Sequence, residues 1–193
     1  MFYKFGQLFL CLIFNVFYDV EVIGDKNLPK SGAAIVCANH ISIWDPIILG
    51  AFLNRPICFM AKHDLFDIKG FGFIITKLGA FPVNRESVEI TTLKRALEIL
   101  KNGMIMGIFA QGARLEVFNE DDGKAGVALF AVRSGAPVVP VGIKGSFKPF
   151  SRLIINIGEP LSFNEYKDKK LRSPELSKLT KEIMVKIKGL AEC

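Results

Sequence analysis

Histidine is nearly absent from this chain, with only His40 and His63 among 193 residues. Neither belongs to a Cys/His cluster, so a zinc site or other metal centre finds no support. Cysteine is scarce as well. Cys11, Cys37, Cys58 and Cys193 show no paired spacing, which argues against a secreted disulfide framework. Internal repeats, low-complexity tracts and linkers are missing, and 193 residues suit one domain with one sizeable core. No small-residue cleavage site follows the apolar N-terminus, so a removable signal peptide does not fit. Runs that mix basic and aromatic residues are lacking too. The 25 Lys and Arg are dispersed among 19 Asp and Glu, which places nucleic acid last among the partners invited by a net charge of +6. An anionic membrane surface and phosphorylated substrates remain.

Apolar residues are abundant. They make up 50% of the chain, 17 of them are Phe, and the mean hydropathy is +0.33. Such a composition predicts apolar surface facing lipid or a long apolar ligand. Residues 1–18 form the most apolar segment. Within 2–18, Lys4, Gln7, Cys11, Asn15 and Tyr18 recur at spacings of three, four, four and three, a narrow polar stripe on a helix. Opposite it lies a wide face of Phe2, Phe5, Phe9, Leu12, Ile13, Val16 and Phe17. A helix of this length spans about 25 Å, short of a hydrocarbon thickness of roughly 30 Å. Two readings stay open: a helix lying in the membrane interface, or a greasy helix packed on the core.

Residues 19–193 alternate strand-like and helix-like patterns. Strands are predicted at 19–23, 33–38, 57–60, 80–83, 104–109, 138–143 and 153–157, with 33–38 almost wholly apolar and therefore central. Pro82 marks 80–83 as a strand end or edge. Helices are predicted at 46–53, 70–77, 87–101, 125–134 and from Ser173–Pro174 onward. Asp45 is expected to be the N-cap of the first of these. The alternation predicts a single α/β domain with a mostly parallel or mixed central sheet flanked by helices, plus the N-terminal apolar helix. Chemistry is expected at the carboxyl ends of the strands.

The stretch Asn39-His40-Ile41-Ser42-Ile43-Trp44-Asp45-Pro46 closes the central strand. A tight turn of this length can return the Asp45 carboxylate to one ring nitrogen of His40. The other nitrogen then faces outward as a proton acceptor, the base-and-orienter half of a triad, with the hydroxyl supplied by substrate. Ser42 and Cys37 lack the surroundings of a nucleophile elbow. Trp44 fits either packing or a lipid-facing anchor, and His63 reads as a surface residue.

This stretch resembles the first motif of the glycerolipid acyltransferases, the 1-acylglycerol-3-phosphate acyltransferase family. Gly79-Ala80-Phe81-Pro82-Val83-Asn84-Arg85 is similar to the family's second motif, and Phe109-Ala110-Gln111-Gly112-Ala113-Arg114 stands in the place of its third, Phe-Pro-Glu-Gly-Thr-Arg. Val138-Val139-Pro140-Val141 fits the fourth. Ala61-Lys62 and Lys124-Ala125-Gly126 also fall where such proteins carry similar residues. In the third motif Ala110, Gln111 and Ala113 depart from the pattern, and Gln111 exchanges a negative charge for a neutral amide that can also donate.

The resemblance implies acyl transfer from acyl-CoA or acyl carrier protein to a lysophosphatidate-like acceptor, with His40 and Asp45 catalytic. Arg85 and Arg114 are implied as phosphate ligands, since a guanidinium fork grips two phosphate oxygens. Gln111, Gly112, Lys62 and Lys124 are implied as further substrate-binding residues. No metal and no bound cofactor are implied, and the protein is expected on the cytoplasmic face of a membrane, peripheral or monotopic. The rivals are the same chemistry on glycerol 3-phosphate or another lysolipid, and a non-catalytic lipid-binding relative.

Overall fold

The computed structural model describes residues 2–83, 90–113, 118–167 and 169–193. The apolar N-terminus is a helix, α1 (Phe2–Phe17), which leads directly into β1 (Asp19–Ile23). Then come β2 (Ala34–Ala38), α2 (Asp45–Phe52), β3 (Ile57–Lys62), α3 (Phe71–Lys77), β4 (Phe81–Val83), α4 (Ile90–Lys101), β5 (Ile105–Phe109), α5 (Gly126–Ser134), β6 (Val138–Gly145), β7 (Arg152–Ile157) and α6 (Ser173–Glu192). The seven strands form one sheet in the order β1-β7-β6-β2-β5-β3-β4. Only the β6–β7 pairing is antiparallel, so β1 and β7 run against the other five strands.

The continuous apolar run of β2 follows from its place at the middle of the sheet, covered on both faces. Ile35 and Cys37 point into one core with α4, α5 and α6, while Ala34, Val36 and Ala38 point into the other with α1 and α2. Three layers result. α6 is seated by Leu179, Ile183, Met184 and Ile187, all buried, each worth roughly 1.5–3 kcal/mol of burial. Pro82 lies in β4 at the sheet edge, where its missing N–H costs least. The part of the 87–101 helix before Ile90 lies outside the described residues.

The structure moves one expectation and adds to another. Asp45 is the first residue of α2 rather than its cap; Trp44 is the N-cap and supplies no side-chain bond. The Asp45 carboxylate turns back toward the loop that precedes it. The polar stripe of α1 is in part bonded to the domain. Gln7 donates its amide to the carbonyl oxygens of Gly50 (3.2 Å) and Leu53 (2.7 Å), and the Tyr3 hydroxyl donates to Gly50 (3.3 Å). These bonds satisfy carbonyls that the end of α2 leaves without helical partners. Phe14 is buried and meets Phe52 edge to face. On the opposite side Phe5, Leu8, Phe9, Leu12 and Val16 stand 56% to 74% exposed. One face of α1 is thus docked on the domain, and its apolar face is left uncovered. Among the described residues no helix is long and apolar enough to cross a membrane.

Candidate active site

Strand order alone marks one crevice. β2 connects through α2 on one face of the sheet, whereas its neighbour β5 connects through α5 on the other. Between the carboxyl ends of two such strands the connections diverge and leave an opening. The last pair in the β2–β5 register is Ala38 and Phe109. His40 and Gln111 each follow by two residues, so they leave the sheet side by side.

His40 Nδ1 lies 2.8 Å from Asp45 Oδ2, with His40 8% exposed and Asp45 fully buried. The same oxygen accepts from the backbone N–H of Ile41 (2.7 Å) and of Ser42 (2.8 Å). Three donors therefore converge on one carboxylate oxygen. An ionised carboxylate can only accept, so the proton of the pair sits on Nδ1 and Nε2 is left as the basic nitrogen. Asp45 Oδ1 is buried without a partner among the described residues.

Two neighbours fix the imidazole. Asn39 is buried and bonds β6 twice: its amide donates to Ile143 O (2.8 Å) and accepts from Ile143 N–H (2.7 Å). The side chain thereby continues the ladder where β2 ends, and it sets the position from which His40 departs. The His40 ring also stacks on Phe109 at 4.1 Å and 16°, and Phe109 lies nearly parallel to Phe59 at 5.9 Å. Room for Phe59 comes from Gly107, where a Cβ would stand 2.4 Å from two ring carbons of Phe59. Sequence reading assigned no role to Asn39 or Phe109. An amide at the last step of a central strand was the available signal for the first; nothing local signalled the second.

The third-motif segment makes a tight turn in which Gly112 N–H donates to Phe109 O (2.9 Å), and Gly112 occupies the left-handed region at φ +69°. Gln111 is 6% exposed, and its Nε2 has no partner among the described residues. Lys124 is brought to this turn. Its backbone N–H donates to Ala110 O (2.9 Å), and its side chain lies where a Cβ on Gly112 would meet Cε at 3.0 Å. Lys62 is placed differently: its exposed amine pairs with Asp64, and that bond holds the Asp64 carboxyl below the usual range. Lys62 ends β3, which is separated from β2 by β5. Arg85 and Arg114 lie outside the described residues.

Neither covalent nucleophile gains support. Cys37 is fully buried in β2, and burial pushes its thiol up to about 12, so no thiolate forms at neutral pH. Ser42 Oγ accepts from Trp44 N–H (3.3 Å) in a local turn. His63 is exposed beside Asp67. Among the described residues no group of His, Cys, Asp and Glu could hold a metal ion.

The buried histidine–carboxylate pair stands at the carboxyl end of β2 beside β5, where the connections of the sheet diverge. Comparison with known proteins gives the family. The family model described as Acyltransferase matches residues 19–144. The chain is 35% identical over 167 residues to the 1-acyl-sn-glycerol-3-phosphate acyltransferase of Bacillus subtilis, covering 82% of each chain. It is 29% identical to the protein of that name from Streptococcus pneumoniae, covering 86% of this chain and 65% of the other. The crystal structure of the 1-acyl-sn-glycerophosphate acyltransferase of Thermotoga maritima superposes with a TM-score of 0.72 at 28% identity, covering 98% of this chain and 78% of that one. Fold, crevice and sequence agree, and the chain belongs to the Acyltransferase family.

Proposed function

We infer that the protein transfers an acyl chain from an acyl thioester to the free hydroxyl of 1-acylglycerol 3-phosphate, giving phosphatidate. The observation that carries the mechanism is the Asp45 oxygen that holds His40 Nδ1 and two backbone N–H groups at once. His40 Nε2 takes the proton of the acceptor hydroxyl. The hydroxyl oxygen attacks the thioester carbonyl, the C–S bond breaks, and the leaving thiolate takes the proton back from His40. Asp45 keeps the imidazole in the productive tautomer and stabilises the imidazolium between the two transfers.

The acceptor is held beside the base. By their motif places, Arg85 and Arg114 are assigned to its phosphate, where two guanidinium forks suit two pairs of phosphate oxygens. The buried Gln111 amide needs an acceptor, and an oxygen of the bound substrate can provide one. Gly112 and Lys124 shape the same turn, with Lys124 adding positive charge. Lys62, tied to Asp64, is assigned at most a contribution to the field over the crevice. Coenzyme A and acyl carrier protein are both acidic, and the net charge of +6 suits either donor.

The uncovered apolar face of α1 is assigned to the bilayer that carries the acceptor, on the cytoplasmic side where such thioesters are available. In the assay, purified protein is given lysophosphatidate with acyl-CoA or acylated carrier protein, and release of free thiol is followed. Acceptor-dependent thiol release is expected with at least one donor. Its absence with both, in folded protein, would leave the non-catalytic lipid-binding reading in its place. Release with glycerol 3-phosphate but not with lysophosphatidate would reassign the acceptor.

A further inference from the structure

The turn between β6 and β7 presents an aromatic ring to solvent under backbone strain. Phe150 is 80% exposed and has φ +63°, the only positive φ outside glycine among the described residues. A bulky side chain avoids that region, and a residue held there needs surroundings that impose it. Here the end of α1 imposes it. Phe150 N–H donates to Phe17 O (2.6 Å), Asp19 N–H to Ser151 O (3.1 Å), and the Tyr18 hydroxyl to Phe147 O (3.2 Å). The Phe17 and Phe150 rings lie 6.5 Å apart, and both are exposed. The strained conformation thus carries the apolar face of α1 onto the turn.

Topology gives this corner a direction. β6 runs parallel to β2, so residues 146–151 lie at the same sheet edge as His40. The loop after His40 adds Ile41, Ile43 and Trp44, all exposed, at that edge. Lys148, at the turn, is exposed and takes part in no ion pair among the described residues. Strained aromatic exposure, an apolar face continued from α1, and free positive charge together fit one occupant, an anionic bilayer.

We propose that residues 146–151 form a second membrane contact, in which Phe150 enters the headgroup boundary beside α1 and turns the active-site edge toward the lipid. The proposal rests on α1 lying in the interface. It is tested with vesicles of phosphatidylcholine mixed with an equal part of phosphatidylglycerol, by sedimentation, beside thermal unfolding. Phe150→Gly removes the ring and fits the left-handed backbone, so the unfolding midpoint holds or rises while partitioning weakens roughly tenfold. Turnover of a soluble short-chain acceptor is expected to stay unchanged, with loss confined to acceptor in vesicles. Lys148→Gln should weaken partitioning roughly fivefold, and only where phosphatidylglycerol is present.

A Phe150→Gly protein that partitions normally overturns the proposal, as does one whose midpoint falls by several degrees, which would make the ring a structural clamp. The double variant Phe9→Glu/Leu12→Glu separates the two readings. If it releases the protein and Phe150→Gly does not, α1 stands and the second contact falls. If neither releases it, both fall.

Discussion

Asp45→Asn isolates what the carboxylate does, because the structure assigns its two jobs to one atom. Oδ2 orders the loop through Ile41 and Ser42, and it orients His40. Asp45→Ala would remove both functions. It would strand two loop N–H groups at about 1–3 kcal/mol each, a large part of a typical stability of about 5–15 kcal/mol. Asparagine keeps an oxygen for the donors and replaces only the charge. Because one atom serves all three donors, the two backbone N–H groups hold the amide oxygen at the Oδ2 position, where it still accepts from His40 Nδ1, and the NH2 takes the place of Oδ1. Nε2 then stays the basic nitrogen, but the imidazolium formed between the two transfers loses the charge that stabilises it. Turnover is expected to fall by about 10²-fold or more, within the range of a general base's contribution, while the unfolding midpoint drops by only a few degrees. Nitrogen-15 spectra of the imidazole should show the proton still on Nδ1. Near-normal turnover in Asp45→Asn, with the proton on Nδ1, would refute the role given to the charge. A collapse of the fold would instead refute the division of labour.

Gly107→Ala is expected to impair catalysis without touching substrate. Its Cβ would overlap Phe59 and push on the Phe59–Phe109–His40 stack, costing about 1–3 kcal/mol of stability and lowering kcat more than it raises KM. Gln111→Glu should keep or raise turnover with lysophosphatidate, since it restores the residue of the family's third motif; loss of activity in folded protein would show that the pocket is built around the amide donor. Arg85→Ala and Arg114→Ala should each weaken the acceptor by about 1.5–3 kcal/mol and the acyl donor by less, read as separate KM values.

The sequence carried the fold well where burial is two-sided or periodic. The apolar run of β2 and the Leu176, Leu179, Ile183, Ile187 spacing of α6 can be satisfied in few ways. The reversed direction of β7 was legible in principle. Only six residues join it to β6, too few for the crossover a parallel pair requires. Asp45 was misplaced by a real ambiguity, since an aspartate before proline reads as a helix cap whichever way its carboxylate turns. Gln7 was legible only as part of a polar stripe, because periodicity records polarity and not the partner, and its partners are carbonyls more than forty residues away. For the same reason the Phe109 ring under His40 could not be read locally. The motifs supplied His40, Asp45 and Gln111; the tertiary fold supplied what holds them.

α2 is gripped at both ends. Its first residue is Asp45, and the carbonyls of Gly50 and Leu53 near its last turn are held by Tyr3 and Gln7 of α1. Each residue of an α-helix advances 1.5 Å and turns 100°. One residue added or lost between Asp45 and Gly50 would therefore swing the carboxylate away from His40 or pull both carbonyls out of reach of α1. The length of α2 is quantised by these two attachments. Insertions in natural relatives should collect in the surface connections and spare this segment, and a designer who wishes to re-aim the base must change α1 and α2 together.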